Sequence, residues 1–187
     1  MESAEEELLT DEQMIELFDL ADCQKSAARF DMDKLQWLNQ KLIQRSPWQE
    51  LEPHLRPFMP ASWSSKPDAW KAQAIQSTQK GKSLADMAEA LRFAFERPAD
   101  FDEKAVEKFL TPAVKPALRE VSDLVDYHHE ALEAAFTAIL EKYGLKTKDL
   151  AQALRVALCG RPVSPGIYDT LMLVGRDEVA ARLQRWL

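Results

Sequence analysis

Apolar residues recur at intervals of three and four along nearly the whole chain, and no stretch alternates long enough to read as a strand. The pattern predicts an all-α protein with no sheet. Thr10 and Gln13 have the spacing of a capping box ahead of Met14, Ile15, Leu17 and Phe18. Asp31 or Asp33 is expected to cap a second helix, whose stripe is Leu35, Leu38 and Leu42. Ser46, Pro47, Trp48 and Gln49 combine an N-cap hydroxyl, a first-turn proline and a reciprocating amide, and Pro53, Pro57 and Pro60 are expected to stop that helix early. A further block opens near Pro67 with Trp70, Ala74 and Ile75. Ser83 and Asp86 open its neighbour, with Leu84, Met87, Ala88, Leu91 and Phe95 on one face. The two should pair across the basic elbow Gln79, Lys80, Gly81, Lys82.

After Pro98, Asp102 is placed to cap a short helix through Ala105, Val106, Phe109 and Leu110. A longer one should carry Leu118, Val121, Leu124 and Val125. Leu132, Ala135, Phe136, Ile139 and Leu140 form the next stripe, ended by Gly144. Three short helices complete the chain: one capped by Thr147 and ending at Gly160, one started by Ser164 and Pro165, and one lined by Val179, Leu183 and Leu187. Short capped helices joined by prolines, without a fixed repeat, predict two helical subdomains in series. Their boundary is expected within Glu96 to Asp102, giving residues 1–97 and 98–187.

Charge refines this picture. The 187 residues carry a formal net charge of -7, which by itself argues against a polyanionic partner. Yet Met1 to Asp22 contain nine carboxylates and no Lys or Arg, so the rest of the chain stands at +2. From Lys146 onward there are seven basic and four acidic residues, a basic end suited to phosphate. Five glycines give neither a G-x-x-x-x-G-K-[ST] nor a G-x-G-x-x-G loop. No uncharged apolar run reaches the roughly 18 residues of a membrane span, and Cys23 and Cys159 read as reduced thiols, so a soluble, cytoplasmic, monomeric chain is expected.

Candidate chemistry is thin. His128 and His129 are adjacent and point about 100° apart on a helix, which suits an exposed pair better than a metal site. His54 lacks ligand partners, and the acidic run Glu5 to Glu7 reads as a solvated lead-in. Cys159, beside Gly160 and Arg161, sits where a thiol pKa could fall, but no base accompanies it, and a small core residue is the better reading. Two segments remain. In FDMDKLQWLNQKLI, residues 30–43, Lys34, Trp37 and Gln40 or Lys41 lie off the leucine stripe, on a face suited to an RNA backbone. An ordinary amphipathic helix with Trp37 as packing is the competing reading. In ALRVALCGRPVSPGIYDTLMLVG, residues 153–175, a helix end meets a Ser-Pro-Gly bend. There Arg155, Arg161 and Tyr168 are candidates to stack a splayed base.

FDMDKLQWLNQKLI resembles the element that follows the catalytic domain of bacterial glutamyl-tRNA synthetases. The last 35 residues, ALRVALCGRPVSPGIYDTLMLVGRDEVAARLQRWL, are similar to the C-terminus of the same family, and MIELFDLADC, ahead of the first segment, and KGKSLADMAEALRFAF, between the two, follow the family's order. The HIGH and KMSKS-type signatures of the catalytic domain are absent, so the resemblance implies the anticodon-binding helical cage and the domain before it, as a truncated or designed fragment. It implies a tRNA-binding segment that performs no reaction on its own. Its parent would ligate glutamate to tRNA-Glu, with ATP and magnesium held in a catalytic domain in cis and no cofactor in this segment.

The resemblance gives Arg155 of LR-x-AL an anticodon contact, and makes Ser164, Pro165, Gly166 and Ile167 the bend that clasps anticodon bases, with Ile167 against a base face. The family's R-x-K-[ST]-L reads K-G-K-S-L here. Lys80 thus stands where members that separate tRNA-Glu from tRNA-Gln carry an arginine reading the third anticodon base. Lysine lacks the planar fork of arginine. Lys34, Trp37, Lys41, Lys82 and Arg161 are implied backbone contacts, and Asn39 a structural residue. The other reading of the same fold is a helical protein-protein interaction module using the acidic first helix.

Overall fold

A threonine hydroxyl opens the first helix. Thr10 accepts from the Gln13 amide, and the Gln13 side chain accepts from the Thr10 amide, the reciprocal pair that the sequence predicts. The computed structural model describes residues 8–23 and 29–187, in which eleven α-helices are joined by short 3-10 turns. The acidic run Glu5 to Glu7 lies outside the described residues.

Helix α1 (Asp11–Leu17) buries none of its side chains, and Ile15 and Phe18 stand in the open. Helix α2 (Met32–Arg45) starts on the Asp31 carboxylate, as expected. Its predicted stripe does not face the core: Leu35 is 46% and Leu42 55% exposed. Ile43 is the buried residue of α2, and at 100° per residue it lies on the side away from Lys34, Trp37 and Lys41. The sequence pattern misses this because polar side chains, not leucines, fasten α2 to its neighbour.

Helix α3 (Trp48–Leu55) begins one residue later than Ser46 would dictate. Ser46 instead terminates α2: its amide donates to Leu42 and its carbonyl accepts from Gln79. Pro53 lies inside α3 and does not stop it, and the chain tightens into a 3-10 turn over Arg56–Phe58. Buried Glu52 holds that turn, accepting from Arg56 Nε and Nη2 and from the Trp63 indole. The bond to Arg56 holds the Glu52 carboxyl below its usual range.

Helices α4 (Asp68–Thr78) and α5 (Leu84–Leu91) pack on each other and on α3. Ser83 caps α5 through the Asp86 amide. Leu55, Trp63, Ile75, Met87 and Leu91 form a dry first core, with Trp70 and Phe95 edge-on at its rim. Each fully buried side chain of this size removes apolar surface worth about 2 kcal/mol.

Helix α6 (Glu103–Phe109) starts on the Asp102 carboxylate as expected. Helix α7 (Lys115–Ser122) ends before its predicted stripe does, which leaves Val125 exposed. Helix α8 (His129–Tyr143) closes at Gly144, whose φ of 62° is left-handed. Helix α9 (Thr147–Cys159) takes Lys146, not Thr147, as its N-cap, with no side-chain bond there. Helix α10 (Ile167–Val174) starts on Gly166 rather than at Ser164 and Pro165. Helix α11 (Arg176–Leu183) follows Gly175.

Helix α9 is apolar on most sides: Leu150, Leu154, Val156 and Leu158 are wholly buried in the second half of the molecule. Phe136, Leu118, Leu171 and Leu183 close around it. The two cores touch through α10. Leu173 belongs to the first core, whereas Leu171 belongs to the second. The Trp70 indole also donates to the Leu173 carbonyl, fastening α4 to α10.

Candidate nucleic-acid interface

Where α4, α5, α9 and the bend before α10 converge, they leave a cleft of about 810 Å³. Lys80 and Gly81 of the elbow form one wall, and Arg155 and the 164–166 bend form the other. Five of the six residues assigned to base contact, Lys80, Arg155, Ser164, Pro165 and Gly166, thus face one space, together with Arg161.

Arg155 rises from α9, the most buried helix, so its backbone is held by core on both sides. Its Nε donates to Ser164 Oγ at 3.2 Å and an Nη to the Pro165 carbonyl at 3.5 Å. These contacts take two of the five donors of a guanidinium. The Ser164 hydroxyl also meets Thr170 Oγ1 at 2.8 Å, and Thr170 donates to the Gly166 carbonyl. That use of Ser164 explains why it does not cap α10. Thr170, wholly buried one turn into α10, fixes the bend from behind, a role that the sequence pattern does not disclose. A Cβ on Gly166 would lie 2.6 Å from Asp169 Oδ2, the end of a side chain that would have to swing aside.

The elbow is equally pinned. Gln40 donates to the Lys80 carbonyl and Asn39 to the Lys82 carbonyl, both at 2.7 Å. Gln79 donates back to the carbonyls of Ile43 and Ser46. The elbow's backbone is therefore tied to α2 while Lys80 and Lys82 remain exposed. Asn39 is structural, as expected, and Gln40 is a positioning residue rather than the outward-facing contact that its spacing suggests.

The cleft is not uniformly basic. Arg92 is paired with Glu96, Arg97 with Glu178, and Arg161 with Asp100. Among the described residues, Lys80 and Arg155 are the cleft cations with no carboxylate partner. The Arg161–Asp100 pair is exposed on both sides, so the guanidinium is accessible to a phosphate in exchange.

Other assigned residues lie elsewhere. Ile167 is 9% exposed and packs in the second core, so its side chain is not presented to a base. Its sequence position beside the bend gives no warning that α10 turns it inward. Tyr168 also turns away, edge-on to Phe136 and His129, and offers no stacking face to the cleft. Lys34, Trp37 and Lys41 share one face of α2, outside the cleft, with Lys34 exposed and the other two half-buried. Cys159 lines the cleft, but burial pushes its thiol up to about 12, against the direction that its basic neighbours suggest. Burial thus favours the neutral thiol over the thiolate.

A family model described as "Anticodon binding domain" matches residues 32–187. A glutamate–tRNA ligase of Geotalea uraniireducens is 34% identical over 189 residues, covering 98% of this chain and 40% of that protein. Glutamate–tRNA ligase 1 of Syntrophus aciditrophicus is 36% identical over 187 residues, covering 97% of this chain and 40% of its own length. The chain therefore spans about 40% of the length of these curated relatives. Among solved structures, a glutamate tRNA ligase from Elizabethkingia meningosepticum in complex with its amino acid superposes with a TM-score of 0.82 at 24% identity. That match covers 94% of this chain and 36% of the other, and it shows a shared fold.

Proposed function

Because the chain belongs to the anticodon binding domain family, we propose that it binds tRNA-Glu by taking unstacked anticodon bases into the cleft between Lys80 and Arg155. It contributes binding energy and orientation, and carries out no reaction itself. The observation that carries this reading is the pairing of Lys80 and Arg155 across one cleft without carboxylate partners, with Arg155 braced on a rigid bend. A base edge supplies the acceptors that a guanidinium with spare donors lacks. Ser164, Pro165 and Gly166 act through polar backbone and hydroxyl groups, while Ile167 holds the bend by anchoring it in the core. Lys34, Trp37, Lys41 and Lys82 supply backbone contacts outside the cleft, and Arg161 supplies one from within it. Residues 1–97 follow the tRNA body and 98–187 take its anticodon, with Lys80 contributed across that seam. Glutamate ligation is the named activity of relatives of which this chain spans about 40%.

The test is a gel-shift titration of tRNA-Glu and an unrelated tRNA at moderate salt. Wild type should prefer tRNA-Glu, and Arg155→Ala should weaken that binding about 10- to 100-fold. Equal binding of both tRNAs by wild type would refute the proposal. A second reading, as a module that meets another protein, has one observation in its favour: α1 exposes Met14, Ile15, Leu17 and Phe18 beside its carboxylates. Under that reading, removing residues 1–22 abolishes a protein contact and leaves RNA affinity unchanged.

A further inference from the structure

Arg182 is a buried guanidinium far along the chain from both walls of the cleft, with 5% of its side chain exposed. Its Nε donates to Glu178 Oε1 at 2.8 Å, one turn back on α11. Its Nη1 donates to two carbonyls, Leu158 at 2.7 Å and Phe93 at 2.8 Å. These acceptors come from opposite sides. Leu158 lies in the last turn of α9, where carbonyls lack helical partners, three residues after Arg155. Phe93 lies in the 3-10 turn that continues α5, and both Phe93 and Cys159, the neighbour of Leu158, line the cleft. Glu178 extends the link by a two-pronged pair to Arg97, at 2.7 and 2.8 Å, and Arg97 lines the cleft as well.

On the reading of the cleft as an anticodon site, we infer that Arg182 is a positioning residue for base recognition, clamping the α5 wall to the α9 wall from behind. The geometry supports this in two ways. Buried ion pairs contribute little net stability compared with apolar packing of equal volume, so stability alone does not account for a charged side chain here. A planar fork, by contrast, fixes both distance and angle between its acceptors, as a lysine ammonium does not. The clamp sets the distance between the turn that ends α5 and the last turn of α9, and so the width of the cleft that Lys80 and Arg155 both line.

The test compares Arg182→Lys with wild type, measuring affinity for tRNA-Glu and for an unrelated tRNA by filter binding, alongside circular dichroism and thermal unfolding of each sample. Arg182→Lys keeps the charge and is expected to remain helical at room temperature. Its affinity for tRNA-Glu should fall about tenfold while that for the unrelated tRNA stays within about twofold. Unchanged affinities beside a lowered melting temperature would overturn the inference, and so would an equal loss for both tRNAs. If Arg182→Lys does not fold, Glu178→Gln, which removes the charge and the Oε2 prong of the Arg97 arm while keeping the Oε1 acceptor for Arg182, should reduce the same ratio about threefold. An unaltered ratio in that variant would overturn the role given to Arg182. If wild type itself fails to distinguish the two tRNAs, the anticodon reading falls first and the clamp with it.

Discussion

A lysine and an arginine face the same cleft, and they differ in what they can recognise. Arg155 has a planar fork steadied by Ser164 and Pro165, whereas Lys80 ends in one ammonium that any nearby acceptor satisfies. Lys80→Arg is therefore expected to widen the preference for tRNA-Glu over tRNA-Gln by about tenfold, measured as a ratio of dissociation constants. No change in that ratio would remove Lys80 from base reading. Glu178 gives a pH signature. Bonding to Arg97, then to Arg182, lowers its pKa from 4.5 to about 2. A carboxyl depressed on folding stabilises the fold above its unfolded pKa, and that contribution is lost as pH falls through the window from about 4.5 to about 2. A third of the Glu178 side chain meets solvent, so the effect is about 1 kcal/mol. Urea titrations should show wild type more stable than Glu178→Gln near neutrality, and the gap closing toward about pH 2. The residues of LR-x-AL and the Ser-Pro-Gly bend were legible in the sequence because they lie within one short segment. Ile167 and Tyr168 were not, since one is buried in the second core and the other packs on Phe136 of α8, about thirty residues away.

Helix ends divide the same way. Caps that close within three residues, at Thr10, Asp31, Ser83 and Asp102, form as the local spacing requires. Ser46 and Ser164 have the right chemistry for caps but answer to distant partners, Gln79 in one case and Arg155 in the other. Gly160 was legible as a helix end, and its fuller role appears only in three dimensions. Its φ is 76°, and a Cβ there would lie 2.5 Å from the Asp100 carbonyl and 2.9 Å from Pro98 Cβ. Its carbonyl also accepts from the Asp102 amide, so it seats the 98–102 loop against α9. Gly160→Ala should cost about 3 kcal/mol, combining left-handed strain with displaced backbone. Denaturant unfolding checks this, and a loss below about 0.5 kcal/mol would mean that the loop yields freely.

At the scale of the molecule, the two cores explain why the site lies between them rather than on either. The first carries the elbow, and the second carries α9 and the bend. The bridge is α10, with Leu173 in one core and Leu171 in the other, and Gln73 of α4 reaches Asp169 at its start. Helical periodicity foretold the all-α architecture. It did not foretell that a late helix would complete the early core, because spacing along a chain says nothing about which faces meet. The leucines of α2 show the same limit, being exposed although their pattern is that of a buried stripe. The central claim is that this cleft reads anticodon bases. The most direct measurement is the ratio of dissociation constants for tRNA-Glu and for the same tRNA with only its anticodon replaced, at fixed moderate salt. The expected ratio is at least about tenfold in wild type, collapsing toward one in Arg155→Ala. A wild-type ratio of one would contradict the account, leaving backbone attraction as the whole of any binding seen.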